Sequence, residues 1–437
     1  MFRFYFSVFF LFACSALQAQ GYTNWIVGDA ADFVSASYQF GVVLAGGGTD
    51  NDDAMAWMLS RAGGGDVVVI RASGSDGYNN YFYSELGVSV NSVETIRFDN
   101  ASAALDDYVN QRLSEAELVF IAGGDQNVYA NYWKDSPIAD RLQQLIQQKG
   151  ITVGGTSAGM AILGQAYYTP PGGAADSDEL LGNPFHPDAD ILGYADFLDV
   201  PFLQGVVTDT HYDQRDRNGR HLVFMARLSA EHNQRFFGIA CNEVTAVCID
   251  ENGQAIVFGE YPDYDDFAYF LQANCQSDFL PEIMEVGTPI TWNRNGAALS
   301  VYKVAGTVSG QNTFDLTTWN TGSGGAWEHW YAENGQLERV VTNEAGCGLL
   351  ASSINELDHL GIDIYPNPVK EELTIQLAHP EGVQSVQVYN QLGKLIYQDD
   401  SVRSLQQIEM VSWENGFYLL HIQTDLGTWT EKLIKLN

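Results

Sequence analysis

Short apolar runs that close on glycine constrain this chain more than any other feature. Phe40 to Ala45 leads into Gly46, Gly47 and Gly48, Leu118 to Ala122 leads into Gly123, Gly124, Asp125 and Gln126, and Ile151 to Val153 turns through Gly154 and Gly155. Asp66 to Arg71 and Val93 to Phe98 are two further strand-like runs. Most are apolar throughout instead of alternating, a pattern suited to a strand covered on both faces. Helical spacings lie between them: Ala54, Met55, Met58 and Leu59 within Asp52 to Arg61, Leu105 and Val109 within Ala103 to Arg112, and Leu142, Leu145 and Ile146 in a stretch that Ser136 caps and Gly150 ends. Strands alternating with helices predict an α/β fold with a parallel sheet. Ligands of such sheets lie beyond the carboxyl ends of the strands. The three glycine turns are therefore expected to meet at one edge.

The last of these turns carries chemistry. Gly155-Thr156-Ser157-Ala158-Gly159 fits Gly-x-Ser-x-Gly, in which flanking glycines relieve crowding around a nucleophile on a strained strand-to-helix turn. The motif is short, so its weight comes from its setting. A β-rich run precedes it, and Met160, Ala161, Ile162 and Leu163 can open a packed helix behind it. The Gly46 turn lacks a lysine and is followed by Asp50, Asp52 and Asp53, which argues against a phosphate cradle. No glutamate stands where a calcium loop would need one, so a solvated acidic helix start is expected there.

A catalytic serine needs a base, and imidazole is the usual one. Of eight histidines, His211 is the best placed, because it follows the apolar run Phe202 to Thr208 and so falls at the same sheet edge. Arg215, Arg217 and Arg220 follow it in a chain poor in arginine. They read either as surface partners of Asp213 and Asp216 or as guanidinium groups that grip a substrate carboxylate.

Taken in order, Gly123-Gly124-Asp125-Gln126, Gly155-Thr156-Ser157-Ala158-Gly159 and the run from Asp209 through His211 to Arg220 resemble the cyanophycinase branch of the cyanophycinase and dipeptidase E serine peptidases. The resemblance covers roughly Gln39 to Tyr269. It implies a parallel-sheet sandwich similar to the class I glutamine amidotransferases, with Ser157 as nucleophile and His211 as general base. It also implies an oxyanion hole at the N–H groups of Gly124 and Ala158. Gln126, Asp209, Thr210, Arg215, Arg217 and Arg220 match positions lining the family's substrate pocket. The family's third triad member is a carboxylate between serine and histidine, which points to Asp178 or, one residue on, Glu179. Thr210 stands where glutamine is common in cyanophycinases, a pocket position whose change bears on the substrate, and Met160 stands where alanine is common.

The chain has 437 residues, enough for two or three domains. Residues 1–19 read as a signal peptide: Arg3, an apolar run from Phe4 to Ala13, then small or neutral residues. A net charge of −34 excludes nucleic acid as a natural partner. Cys14 would leave with the leader, and the remaining Cys241, Cys248, Cys275 and Cys347 suit two disulfides, with Cys241 to Cys248 expected as one of them. Residues 20–272 are expected to form the catalytic domain and 273–354 a β-rich extension, in which Trp319, Trp327 and Trp330 read as buried aromatics. Residues 355–437 alternate with period two between turns such as Glu414-Asn415-Gly416, which predicts a small β-sandwich. With Tyr365-Pro366-Asn367-Pro368 at its start and Lys432 and Lys435 near its end, this module resembles the C-terminal sorting domain of the Bacteroidetes type IX secretion system.

The reading that follows is a secreted or surface-attached serine peptidase acting through an acyl-enzyme. By resemblance it would cut cyanophycin, arginyl-polyaspartate, to β-aspartyl-arginine dipeptides. A peptidase for aspartyl or isoaspartyl peptides and a silent surface binding protein stand beside it. No cofactor and no metal are expected; the expected partners are the substrate and the secretion machinery, and a homodimer is left open.

Overall fold

The computed structural model describes residues 21–189, 192–275, 278–347, 362–366, 369–377, 383–390, 394–401, 403–413, 415–424 and 427–435. The expected leader lies outside these residues, as do Asn367, Pro368 and Lys432's side chain. The chain divides into two compact units, 1–346 and 347–437.

The first unit is built on two sheets. The ten-stranded sheet runs in the order β1 (Tyr22–Gly28), β4 (Ser92–Phe98), β3 (Asp66–Arg71), β5 (Leu118–Ile121), β6 (Thr152–Thr156), β2 (Gly41–Ala45), β11 (Ala246–Ile249), β12 (Gln254–Phe258), β15 (Asn312–Asp315) and β16 (Gly322–Ser323). From β4 to β2 its pairings are parallel. The eight-stranded sheet runs β18 (Gln336–Thr342), β17 (Gly325–Glu333), β14 (Leu299–Ala305), β13 (Phe267–Ala273), β10 (Phe237–Cys241), β9 (Val206–Asp209), β7 (Ala166–Tyr168) and β8 (Leu192–Tyr194). Val42 and Leu44 of one sheet and Ile239, Cys241 and Phe270 of the other share a core.

The uninterrupted apolar runs now have a cause. Val43, Val67, Val69 and Phe120 share a cluster with the helix Asp52–Ser60, whereas Val42, Leu44, Val68, Ile70, Val119 and Ile121 lie in the opposite core, which the helices Asp107–Glu115, Gln126–Trp133 and Pro137–Gln144 and the second sheet complete. Both faces are covered, so each aliphatic side chain contributes about 1.5–3 kcal/mol by leaving water. Asn51 caps that helix by accepting from Ala54 N at 3.1 Å. The helix expected over Ala103 to Arg112 is divided. Asp106 accepts from Tyr108 N and starts a new helix, Asp107–Glu115, which leaves Leu105 exposed and Val109 buried.

Two readings of the outer segments change. Residues 22–28, for which no strand was expected, form an antiparallel edge strand on β4. The strands after Ala273 build no separate layer: β14, β17 and β18 continue the eight-stranded sheet from β13, and β15 pairs with β12 of the other. Trp319 and Trp330 are buried, Trp327 partly so. Cys241 and Cys248 are free buried thiols and do not pair, because β10 and β11 carry them in different sheets; Cys275 and Cys347 are disulfide-bonded.

The second unit is all β. A three-stranded sheet of β19 (Ile362–Tyr365), β20 (Glu372–Leu377) and β23 (Leu405–Glu409) shares one core with a four-stranded sheet of β22 (Leu395–Asp399), β21 (Val383–Asn390), β24 (Gly416–Thr424) and β25 (Gly427–Lys435). Leu373, Ile375, Val386, Val388, Leu420 and Ile422 fill that core from alternate positions, as period-two strands require. No helix among the described residues is long and apolar enough to cross a membrane.

Candidate active site

Ser157 follows β6 and precedes the short helix Ala158–Ala161, with φ 52° and ψ −115°. Both flanking glycines are required by space. A Cβ on Gly155 would stand 2.4 Å from the Gly159 carbonyl carbon, and one on Gly159 would stand 2.0 Å from Ile121 O. The turn is thus pressed against itself and against β5, which forces the serine into a left-handed conformation and points its hydroxyl out of the sheet edge.

His211 lies just past the end of β9, also with positive φ, 47°. Its Nε2 is 2.7 Å from Ser157 Oγ and its Nδ1 is 2.6 Å from Glu243 Oε1. In the tautomer that satisfies both bonds, Nδ1–H donates to the carboxylate and Nε2 accepts from the serine hydroxyl. Burial pushes the His211 pKa below its ordinary value, Glu243 opposes this, and Arg215 and Arg217 push it down further. The imidazole is therefore neutral near pH 7, as a base that must take a proton from serine has to be.

The loop after β2 ties these residues together through three successive carbonyls. Ala45 O accepts from Ser157 N at 3.0 Å, Gly46 O from His211 N at 2.8 Å, and Gly47 O from Val244 N at 3.0 Å. Gly47, at φ 100°, packs so closely that a Cβ there would be 2.5 Å from His211 Cε1 and 3.0 Å from Ser157 Cβ. The Gly46 to Gly48 turn is thus the backbone clamp of the three side chains.

The third member differs from expectation. Asp178 and Glu179 both sit in the first turn of the helix Ser177–Gly182. Glu179 closes a capping box with Asp176, accepting from Asp176 N at 3.2 Å, and Asp178 is exposed. Neither touches His211, whose Nδ1 is already occupied. Glu243 arrives by a different route. β10 runs parallel to β9 with Ala240 opposite Asp209, so the residues just past each strand end, Glu243 and His211, become neighbours. An acidic residue two positions past the apolar strand Phe237–Cys241 was the available sequence signal. The middle residue of the acidic run, Ser177, serves structure: its hydroxyl donates to Asp216 O and accepts from Gly219 N and Arg220 N.

The resemblance implied an oxyanion hole at the Gly124 and Ala158 N–H groups. The Tyr129 hydroxyl lies 2.9 Å from Ala122 O and 3.0 Å from Gly123 O, so Gly123 O faces Tyr129 and, since the peptide is planar and trans, the Gly124 N–H faces the other way. Among the described residues, neither that N–H nor the Ala158 N–H has a hydrogen-bond partner. Two free donors beside a nucleophile can hold a developing oxyanion. Gln126 opens the helix Gln126–Trp133 on the same loop and is half-exposed.

The expected pocket residues separate into two groups. Asp209 and Arg220 are buried against each other, Arg220 Nε donating at 2.8 Å and Nη2 at 2.5 Å. Burial raises the Asp209 pKa, but Arg220 and then Arg217 outweigh it and hold the carboxyl below its ordinary range. Contact of either with a ligand would break a buried pair, so the structure assigns them to the scaffold instead of the substrate surface. Arg217 Nη1 donates to Thr210 O at 2.8 Å and to Thr210 Oγ1 at 3.1 Å; burial lowers its pKa to about 10. Arg215 is exposed and forms no ion pair among the described residues.

Residues 72–257 match peptidase family S51, and residues 363–436 match the secretion system C-terminal sorting domain. The chain is 27% identical over 178 residues to a cyanophycinase of Geminocystis herdmanii, covering 41% of this chain and 58% of that one. It is 25% identical over 228 residues to a cyanophycinase of Synechococcus elongatus, covering 50% of this chain and 66% of that one. The chain thus spans less than two thirds of these curated relatives. Among solved structures, a peptidase from an acI-B1 Actinobacterium superposes with a TM-score of 0.41 at 12% identity, covering 64% of this chain and 98% of that one.

Proposed function

From a chain that carries a peptidase family S51 domain and a secretion sorting tail, we propose an exported serine peptidase that cleaves amide bonds of aspartyl polymers through an acyl-enzyme, with cyanophycin as substrate. The observation that carries this reading is the continuous chain Ser157 Oγ, His211 Nε2, His211 Nδ1, Glu243 Oε1, at 2.7 and 2.6 Å. Ser157 attacks the carbonyl as His211 takes its proton. Glu243 stabilises the imidazolium, and the N–H groups of Gly124 and Ala158 hold the oxyanion. His211 then protonates the leaving amine, and water resolves the ester by the same steps in reverse. Arg215 is the free guanidinium for a substrate carboxylate.

The cyanophycin assignment draws on the two cyanophycinase relatives, and the sorting tail supports work outside the cell, released or surface-bound. The test is incubation of the purified protein with insoluble cyanophycin, following released dipeptide by mass spectrometry beside Ser157→Ala. Release by wild type alone supports mechanism and substrate together. No release, with Ser157 still labelled by a fluorophosphonate, moves the substrate to other aspartyl or isoaspartyl peptides, and absence of labelling makes the protein a binder.

A further inference from the structure

The strand register that brings His211 and Glu243 together ends before either residue, its last pair being Asp209 with Ala240. Beyond it, the Glu243 carboxylate meets no partner but His211 among the described residues and is 34% exposed, so its own side chain does little to fix it. The two loops are instead tied side by side. Tyr212 N donates to Cys241 O at 3.3 Å, Asp213 N to Asn242 Oδ1 at 3.1 Å, and Glu243 N to Gln214 Oε1 at 3.0 Å. Asn242 Nδ2 returns a bond to Asp213 Oδ2 at 3.1 Å. These two residues, two past the base and one before the carboxylate, therefore hold each other in both directions.

Both ends of this link are anchored. Asn242 is fully buried and its amide is saturated, because Nδ2 also donates to Asp265 O at 2.8 Å. Its backbone N–H donates to Phe267 O at 3.0 Å, and its carbonyl accepts from Thr245 N at 3.2 Å. Asp213 pairs with no arginine among the described residues. Its Oδ2 also accepts from Tyr269 at 2.6 Å and its Oδ1 from Asn218 at 3.0 Å. Asn218 in turn accepts from Arg339 at 3.1 Å, and Trp330 stacks on Tyr212 with ring centroids 6.4 Å apart, so the strands after Ala273 back the loop of the base. The chemistry at position 242 is specific. An amide can accept from Asp213 N and donate to Asp213 Oδ2 at once, whereas a carboxylate there could not donate and would set a like charge against Asp213.

We propose that Asp213 and Asn242 are positioning residues of the triad, a clasp between two loops that holds Glu243 on His211. The inference rests on the reading of Ser157, His211 and Glu243 as the reacting set and adds to it what fixes the 2.6 Å contact. A side chain acts at such a distance only while its support is locked, and a displacement of about 1 Å can cost about 10²-fold in rate.

The test uses the full chain, with the rate of fluorophosphonate labelling of Ser157 and the low-field proton resonance of His211 Nδ1–H as readouts. Asn242→Ala and Asp213→Ala are each expected to slow labelling at least about ten-fold and to remove the resonance. Asp213→Asn, which keeps an oxygen facing Asn242 and Tyr269, is expected to restore most of the rate. Because the clasp acts through Glu243, Asn242→Ala added to Glu243→Ala is expected to cost no more than about two-fold further. Thermal unfolding checks that each variant folds. Should Asn242→Ala fail to fold, Gln214→Ala removes a neighbouring tie from an exposed position and is expected to weaken the same resonance. Full-rate labelling by the folded single variants, a resonance unchanged in them, collapse of Asp213→Asn along with Asp213→Ala, or a further loss of about ten-fold on the Glu243→Ala background would each overturn the proposal. The resonance needs no substrate, so the two readings fail separately. A labelled wild type with unaffected variants sinks the clasp and spares the peptidase; a wild type that is never labelled, with the resonance lost in the variants, does the reverse.

Discussion

Glu243→Gln tests the arrangement at its least expected member. The substitution keeps size and a hydrogen-bonding group but removes the charge facing the imidazolium. With Glu243 Oε1 2.6 Å from His211 Nδ1, the charge centres are near 4 Å apart, where opposite unit charges attract by about 4 kcal/mol at an effective dielectric of about 20. Glu243 is 34% exposed, so water screens part of this, and about 2.7–4 kcal/mol of transition-state stabilisation is lost, roughly 10²–10³-fold in kcat. Asp178→Asn and Glu179→Gln, which remove charges that do not reach His211, are expected to stay within about two-fold. The assay is steady-state release of dipeptide, with the rate of fluorophosphonate labelling as a second reading of Ser157. Retention of full activity by Glu243→Gln, or a comparable collapse in Asp178→Asn, would refute the assignment.

The remaining expectations are briefer. Because His211 must be neutral to act and its pKa is depressed, kcat/KM falls on the acid side only below the ordinary histidine value of about 6.5. Arg215→Ala removes a cation that holds the pKa down and moves that limb to higher pH; Glu243→Gln moves it lower. Arg220→Ala removes the two-point partner of buried Asp209, leaving Arg217 Nη1 at 3.6 Å as its counter-charge, and costs up to about 3–5 kcal/mol of stability, read by urea unfolding, whereas an unchanged midpoint would mean the pair is solvated. Gly47→Ala puts a Cβ 2.5 Å from His211 at a positive φ and is expected to slow Ser157 labelling by at least about 10²-fold, since a misplacement of 1 Å can cost that much. Peptide mapping after alkylation in denaturant without reductant should modify Cys241 and Cys248 and leave Cys275 and Cys347 untouched.

Much of the fold was legible because parallel strands covered on both faces announce themselves as unbroken apolar runs, and helix starts at Asn51 and Ser136 carry local capping chemistry. Ser157 was legible for a similar reason: its two glycines answer a crowding that lies within a few residues of it. His211 was placed by position at a strand end, which is a weaker signal, although Gly46 O fixes it in the structure. Leu105 misled because Asp106 restarts the helix, a local competition that apolar spacing does not register.

Glu243 shows where such reasoning stops. Its place just past an apolar strand hints at a sheet edge, but nothing in the chain pairs it with His211, 32 residues away; that contact exists because β9 and β10 pair in one particular register. The same holds for Asp209 and Arg220, whose charges looked available to a substrate until packing turned them on each other, and for the strands after Ala273, which looked separate until they paired with both sheets. By itself the sequence determined the strand-turn-helix around the nucleophile, the layered α/β class and the β-sandwich tail, because these follow from interactions between residues close in the chain. Tertiary structure alone decided which carboxylate bonds His211 and which charged groups are buried on one another, because a hydrogen bond of 2.6 Å depends on strand register, and register is set by the whole core.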